Sequence, residues 1–143
     1  MGLGFRHNVM SHPTSGAEAT RTFIQAFNDE DHDALVGVLD PEVEIQASRG
    51  IVIGHDEARL WASRSAAGDL HQRLVLDAIR DLGRHVIAFA RREWFWRDGE
   101  DVADAQDLTI VATIGEDNLI TRWQPFDDRE EALQAVGVGT DES

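Results

Sequence analysis

The sequence predicts one α+β domain in which N-terminal helices pack against a twisted antiparallel sheet. The chain has 143 residues, a length typical of a single domain. Apolar residues recur at helical spacing early in the chain and alternate with polar residues through most of the remainder. Because helices come first and a run of hairpins follows, the order of elements favours an α+β fold. We expect the domain to span residues 14–138, between a flexible leader (1–13) and a flexible tail (139–143).

Capping residues mark the predicted helices. Ser15 and Glu18 have the spacing of a capping box, so a first helix should begin there. Asp31 can cap a second, short helix, which the Asp-Pro pair at 40–41 should end. A third helix is expected from His55 to about residue 67. These helices supply the layer that the sheet needs as a cover.

The remaining segments read as strands. Two short ones are expected near residues 43–47 and 51–53, and a last short helix should begin at Asp128. Turn-forming pairs, such as Asp98-Gly99, separate longer alternating segments and indicate an antiparallel meander. Helices on the concave side of such a sheet would form a cone with an open mouth. The longer strands are placed at about 71–82, 85–97, 102–114 and 118–126.

Composition excludes several classes of function. The chain has no cysteine, no tyrosine and no lysine, which excludes disulfides, thiol nucleophiles, lysine Schiff bases and tyrosine acids. A net charge of −14 disfavours nucleic acids and anionic membranes as partners. No apolar run approaches the ~20 residues of a membrane span, and the N-terminus does not resemble a secretory signal. We therefore expect a cytoplasmic protein with neither nucleic-acid nor membrane partners.

No residue pattern predicts a metal or a cofactor. The six histidines are scattered and lack the i, i+4 spacing of a helical metal pair. The acidic run at 29–33 lacks the glycine and the final glutamate of a calcium loop. A phosphate-binding glycine loop is missing from the sequence as well. The expectation is a site without metal or cofactor.

Six segments together resemble the SnoaL-like family of the nuclear transport factor 2-like superfamily. The resemblance lies in their order and spacing, and it covers about residues 15–138. It implies a cone-shaped α+β fold, a pocket between helices and sheet, and a homodimer formed through the outer face of the sheet. Relatives include polyketide cyclases, ketosteroid isomerases and limonene epoxide hydrolases. The segments are AEATRTFIQAFN (17–28), DAL (33–35), LDPEVEI (39–45), GHDEA (54–58), LITRWQPFD (119–127) and REEALQAVG (129–137).

Three catalytic patterns are implied by this resemblance, and none is complete. At the isomerase positions the chain has Phe23, Ala47 and Ile110 instead of a tyrosine and two acids. At the cyclase position an amide, Gln124, follows Trp123 where an acid is expected. An amide can neither accept nor deliver the proton in that reaction. Both activities are therefore poorly supported.

The epoxide hydrolase pattern is matched in two of three positions. Arg91 and Glu93 have its spacing and charges, whereas Gln124 replaces its last aspartate. These three residues are our candidate catalytic group, with Glu93 as general base. The alternative is a structural ion pair between strands. We expect the ligand-binding walls to be Phe23, Phe27, Trp61 and Phe95, with Gln106 and Arg122 as polar candidates.

In the second long strand (85–97), alternation places neighbouring residues on opposite faces, and we expect the two faces to have different partners. Arg91, Glu93 and Phe95 share one face, which the resemblance implies is the pocket side. The opposite face has Trp94 and Trp96, which we expect at a dimer interface together with Trp123. Ordinary core packing is the alternative for these tryptophans.

Three functions remain open at this point. The first is an enzyme that acts on a small apolar organic molecule by general acid–base chemistry, as an isomerase, cyclase or hydrolase. The second is a non-catalytic module that binds such a molecule. The third is a domain that serves only for dimerisation.

Overall fold

The computed structural model describes residues 13–47, 50–66, 70–96 and 102–137. Within them, helices and strands follow one another in the predicted order, and most ends lie within a few residues of those expected. The helices are α1 (Gly16–Asp29), α2 (His32–Gly37), α3 (Gly54–Ala66) and α4 (Arg129–Ala135). The strands are β1 (Leu39–Ala47), β2 (Gly50–Ile53), β3 (Leu70–Asp81), β4 (His85–Trp96), β5 (Val102–Ile114) and β6 (Ile120–Phe126).

The described strands form one sheet in the order β2-β1-β6-β5-β4-β3. Neighbouring strands from β3 to β6 pair antiparallel, as the hairpin pattern predicts. Strands β1 and β2 also pair antiparallel, whereas β1 and β6 run parallel. The predicted α+β fold class is therefore confirmed.

The start of β1 differs from the prediction. The strand begins at Leu39, so Pro41 lies inside it and does not end the preceding helix, which stops at Gly37. The pairing of β1 with β6 shifts register between Leu39 and Glu44. Proline lacks an N–H group and is tolerated where the hydrogen-bond ladder is interrupted. The local break in pairing explains how a strand can contain this residue.

Side-chain caps begin three helices where the sequence places them. The Ser15 hydroxyl accepts a hydrogen bond from the backbone N–H of Glu18 at 3.1 Å. The carboxylates of Asp31 and Asp128 accept from backbone N–H groups of α2 and α4 in the same way. The capping box is displaced by one residue, because the Glu18 carboxylate accepts from the N–H of Thr14 and not from that of Ser15.

The main core lies between the sheet and helices α1–α3. We call this side of the sheet the inner face, and the opposite side the outer face. Strand β4 contributes Val86, Ala88 and Ala90 to the inner core, and α1 contributes Phe23. The packing is close at the start of α1, where a Cβ atom on Gly16 would lie 2.6 Å from the Ile114 side chain.

A second buried layer lies on the outer face. Ile87 and Val111 are fully buried there although they do not belong to the main core. Helix α4 contacts β5 and β6. The Arg129 guanidinium of α4 lies 4.5 Å from the ring centre of Phe89, an outer-face residue of β4. The sheet is thus apolar on both faces at this end.

The other end of α1 is fixed to an edge strand. The Asn28 side chain donates to the carbonyl of Leu74 and accepts from its N–H, both at 2.8 Å. Leu74 belongs to β3, the last strand of the sheet, and pairs across with Arg92 of β4. The amide of Asn28 therefore satisfies backbone groups that a further strand would otherwise satisfy.

Candidate functional site

The faces of β4 are opposite to those expected. Its pairing with β3 is regular from Arg91 to Trp96, so alternation continues from the buried Ala90. Residues 92, 94 and 96 therefore follow positions 86, 88 and 90 onto the inner face. Arg91, Glu93 and Phe95 lie on the outer face, and the expectation that they face the helices is wrong.

The outer-face residues form a charged cluster. The Glu93 carboxylate is bonded by the Arg91 Nε at 3.0 Å and approached by an Arg73 nitrogen at 3.6 Å. The Arg73 guanidinium also lies 4.5 Å from the ring centre of Phe95. The hydrogen bond to Glu93 raises the pKa of Arg91 above its ordinary value. This geometry is that of structural ion pairing, within β4 for Arg91 and across to β3 for Arg73, and it agrees with the alternative interpretation of the sequence.

Gln124 does not approach this cluster. It pairs with Val111 of β5, whereas Glu93 pairs with Ala105. Six residues along a strand correspond to about 20 Å. The Gln124 side chain lies instead near Gln46, at 3.5 Å. The three predicted catalytic residues therefore do not converge.

Arg122 is also an outer-face residue. It forms an ion pair with Glu44 on β1 at 3.4 Å, and its side chain is about half exposed. The register pairs it with Thr113 of β5 and with Glu44 of β1. It therefore cannot line a space between sheet and helices.

The predicted tryptophan interface on the outer face is wrong. Trp123 is only 2% exposed and stacks on Phe23 in the inner core, with ring centres 3.8 Å apart. Trp94 and Trp96 are inner-face residues because they alternate with Phe95. Their aromatic surface faces the same side of the sheet as the helices.

Three predicted aromatic residues do come together on the inner side. The Trp61 ring centre lies 5.8 Å from that of Phe27 and 6.2 Å from that of Phe23. Phe23 is fully buried, whereas Phe27 and Trp61 are partly exposed. These distances are typical of favourable aromatic pairs. Phe27 and Trp61 thus form an apolar wall that is partly exposed to solvent.

The inner face opens toward one end of the sheet. Ala90 is buried in the core, Arg92 and Trp94 are partly exposed, and Trp96 is 53% exposed. On β5 the change is similar, from a buried Leu108 to exposed residues at 102–107. We call this region, from Arg92 and Gln106 outward, the open end. It begins level with the C-terminal end of α1, because Leu74 bonds to α1 and pairs with Arg92.

A polar group occupies the start of the open end. Gln106 pairs with Arg92 across the strands, and its amide donates to the Asp127 carboxylate at 3.0 Å. The Nε atom of Arg92 is buried and has no hydrogen-bond partner. The guanidinium lies 5.7 Å from the Trp94 ring centre. Burial lowers the pKa of Arg92, and the nearby Asp127 carboxylate acts in the opposite direction.

The inner side of the sheet thus carries groups of complementary chemistry. Arg92 is a cation with a free donor, because arginine stays protonated in proteins. Asp127 is a carboxylate whose orientation is set by Gln106. The partly exposed rings provide apolar contact area. Sequence reasoning identified Gln106 as a polar candidate, but it missed Arg92, Trp94 and Asp127 as site residues because it assigned the faces of β4 the wrong way round.

The described part of the chain contains no cluster of three or more histidine, cysteine or acidic side chains that could hold a metal ion. Among the same residues, no helix is both long and apolar enough to cross a membrane.

No family model and no curated protein matches this chain. Solved structures do match it. One is an NTF2-like protein of unknown function from Cytophaga hutchinsonii, which is 13% identical with a TM-score of 0.64. The match covers 83% of this chain and 95% of that one. A hypothetical protein with a ketosteroid isomerase-like fold from Catenulispora acidiphila, in complex with trimethylamine, is 16% identical with a TM-score of 0.67, covering 88% and 97%.

An epoxide hydrolase similar to limonene epoxide hydrolase, from M. tuberculosis, matches to the same degree. It is 17% identical with a TM-score of 0.67, and the match covers 81% of this chain and 80% of that one. At these identities the likeness establishes the fold alone. The chain has the nuclear transport factor 2-like α+β fold, a fold shared by enzymes and by proteins of unknown function.

Proposed function

We propose that this protein binds a small, largely apolar organic molecule at the open end of the inner face. The observation that carries the proposal is that partly exposed aromatic rings and a buried, unpartnered donor lie on the same, inner side of the sheet. Trp61 and Phe27 supply the rings on the helix side. Trp94 and the Arg92 Nε supply a ring and a donor on the sheet side.

The fold leaves aromatic surface uncovered at the open end, on Trp94 and Trp96. When an apolar molecule covers exposed aromatic side chains, it removes their surface from water. This stabilises the complex by about 25 cal/mol per Å² of apolar surface buried. A ligand site usually combines such rings with a few placed polar groups. Gln106, Asp127 and Arg92 provide those groups here. The epoxide hydrolase of the same fold lends support by analogy only.

A thermal-shift screen of lipophilic epoxides, ketones and polyketide fragments tests this proposal. A ligand that binds only the folded state raises the unfolding temperature, and the rise increases with the logarithm of its concentration above Kd. The matched variants are Trp94→Leu and Phe95→Leu, adjacent aromatic residues on opposite faces of β4. We expect Trp94→Leu to abolish or strongly reduce the shifts, and Phe95→Leu to leave them unchanged. Shifts that depend on Phe95 and not on Trp94 would contradict the proposed site.

A second candidate function is an acid–base enzyme at the same place. It is favoured by the hydrogen bond that holds Asp127 in one orientation beside the open end. Asp127, in place of the outward-facing Glu93, would be the general base, with Gln106 as a positioning residue. A positioned carboxylate contributes about 10²–10⁴-fold to the rate of proton transfer.

Conversion of the screened ligands, followed by mass spectrometry, separates the two candidates. Asp127→Asn should reduce turnover by at least about 10²-fold. Asp107→Asn is the matched control, because Asp107 is next to Gln106 in β5 but pairs with Arg91 and lies on the outer face. Binding without any conversion would leave the non-catalytic module as the function.

We also propose a homodimer through the outer face, without the three tryptophans. Ile51 and Ile53 of β2 are 59% and 54% exposed on that face and would be covered by a partner. Homodimer interfaces are more apolar than the rest of a protein surface, and the two isoleucines are separated by one residue on the same face. Light scattering of the wild type should give twice the chain mass, and Ile53→Asp should shift it toward the monomer. A monomeric wild type would exclude both the dimer and a purely dimerising role.

A further inference from the structure

We propose that the ligand of the open end is an organic acid, and that Arg92 binds its carboxylate. This inference rests on the proposed binding function and specifies the chemical class of the ligand. Arg92 would be the residue that selects for an anionic group. The aromatic rings would hold the rest of the molecule, so the ligand would have an apolar body and one acidic end.

The first step is the contrast between Arg92 and other arginines. Three arginines of the sheet form ion pairs with carboxylates: Arg73 and Arg91 with Glu93, and Arg122 with Glu44. Arg59 of α3 pairs with Asp33 in the same way. Arg92 differs, because its Nε is buried and donates to no acceptor.

The second step is the cost of this arrangement. A buried donor without an acceptor costs about 1–3 kcal/mol, and more when the group is charged. Burial at Arg92 also removes water from the guanidinium, as the lowered pKa indicates. The ring of Trp94 compensates only part of the charge at 5.7 Å. A carboxylate is the acceptor that best matches a guanidinium, since both are planar and can form two parallel hydrogen bonds.

The third step concerns the nearest protein carboxylate, Asp127. Its charge acts on Arg92, yet its Oδ1 accepts from Gln106 at 3.0 Å. No ion pair between Asp127 and Arg92 is formed within 4.0 Å among the described residues. The Gln106 amide thus holds Asp127 while the Arg92 Nε remains unpaired. With a net charge of −14, the chain repels anions in general, so an anionic ligand needs such a local cation.

The position of Arg92 fits a ligand with two chemically different ends. Arg92 lies at the boundary between the dry core and the open end, next to Trp94 along the strand. An acid group at Arg92 would let an attached apolar body lie against Trp94 or against the wall of Phe27 and Trp61. Aryl-alkyl carboxylates have this form.

The test compares acids with uncharged molecules of the same skeleton. The probes are 4-phenylbutyrate, 6-phenylhexanoate and 1-naphthylacetate, each measured beside its primary amide by calorimetry on the full chain. The proteins are wild type, Arg92→Gln and Arg91→Gln. The last is the matched control, because it removes the same charge from the neighbouring position on the outer face. A charge-assisted hydrogen bond contributes roughly 1.5–3 kcal/mol, so wild type should bind the best acid about ten-fold or more tightly than its amide.

The expected result is that Arg92→Gln removes the preference for the acid while Arg91→Gln retains it. Equal binding of acid and amide by wild type, lost in Trp94→Leu, would overturn the role of Arg92 and leave the proposed site standing. A preference that survives Arg92→Gln would also overturn it. If no acid or amide binds wild type while neutral ligands do, the ligand class is wrong. Circular dichroism and the unfolding temperature of Arg92→Gln must match those of Arg91→Gln for the comparison to count.

Discussion

The contact between Asn28 and Leu74 leads to a specific prediction about stability. One side-chain amide both donates to the Leu74 carbonyl and accepts from its N–H, at 2.8 Å in each case. The two bonds join the last turn of α1 to the edge strand β3, 46 residues away in sequence. Replacing Asn28 with alanine removes both bonds without introducing a clash.

The expected loss follows from the number of bonds. A typical protein hydrogen bond contributes about 0.5–1.5 kcal/mol net, so two contribute roughly 1–3 kcal/mol. The contact is only partly buried, so water can replace part of the lost bonding to the freed groups. We therefore expect the free energy of unfolding to fall by about 2 kcal/mol. For a domain of this size the unfolding temperature should fall by roughly 5–10 °C. Asn28→Asp keeps the acceptor and loses the donor, so it should also destabilise.

Thermal unfolding and amide exchange measure the two parts of this prediction. The Leu74 amide proton should exchange faster in Asn28→Ala than in wild type, because its acceptor is gone. Gln25→Ala is the control, since the Gln25 side chain donates to the exposed Asp29 of the same helix. An unchanged exchange rate at Leu74, with an unfolding temperature within 2 °C of wild type, would refute the reasoning about this contact.

Three further predictions concern α1. Phe23→Ala should lower the free energy of unfolding by about 3–5 kcal/mol in urea titrations, because the ring is fully buried. Gly16→Ala should destabilise, because the added Cβ would lie 2.6 Å from the Ile114 side chain. Helix propensity alone would favour alanine by up to ~1 kcal/mol, so a more stable variant would contradict this packing. Hydrogen bonds from Thr14 lower the pKa of Glu18, so its contribution should be present at neutral pH and lost as the pH falls through that lowered value. The gap in unfolding temperature between wild type and Glu18→Gln should therefore close in acid, and a gap that widens there would contradict the contact.

The fold could be predicted because its signals are local. Capping residues begin the helices, and turn residues separate strands whose alternation is regular. Each of these signals acts within a few residues of the chain. The exception is the stretch around Pro41, where the interrupted pairing with β6 depends on a strand about 80 residues later.

The candidate site could not be predicted as well, because it depends on which face of β4 meets the helices. Residues 86–90 are apolar at every position, and Val86, Ile87 and Ala88 are fully buried, so both faces of this part of β4 are covered. An uninterrupted apolar run does not indicate which of its residues face the helices. The charged residues that follow were therefore assigned to the wrong face, and Trp123 with them. Its contact with Phe23 joins residues 100 positions apart, which no local pattern reveals.

The most direct test of the central claim is to locate a bound ligand by its effect on neighbouring arginines. The best ligand of the thermal-shift screen would be titrated into nitrogen-15-labelled protein while the side-chain Nε–H signals of Arg91 and Arg92 are followed by NMR, together with the indole signals. We expect the signals of Arg92, Trp94 and Trp61 to shift in proportion to occupancy and that of Arg91, held by Glu93, to stay unchanged. A ligand that shifts Arg91 and leaves Arg92 and Trp94 unchanged would place the site on the outer face and contradict the account.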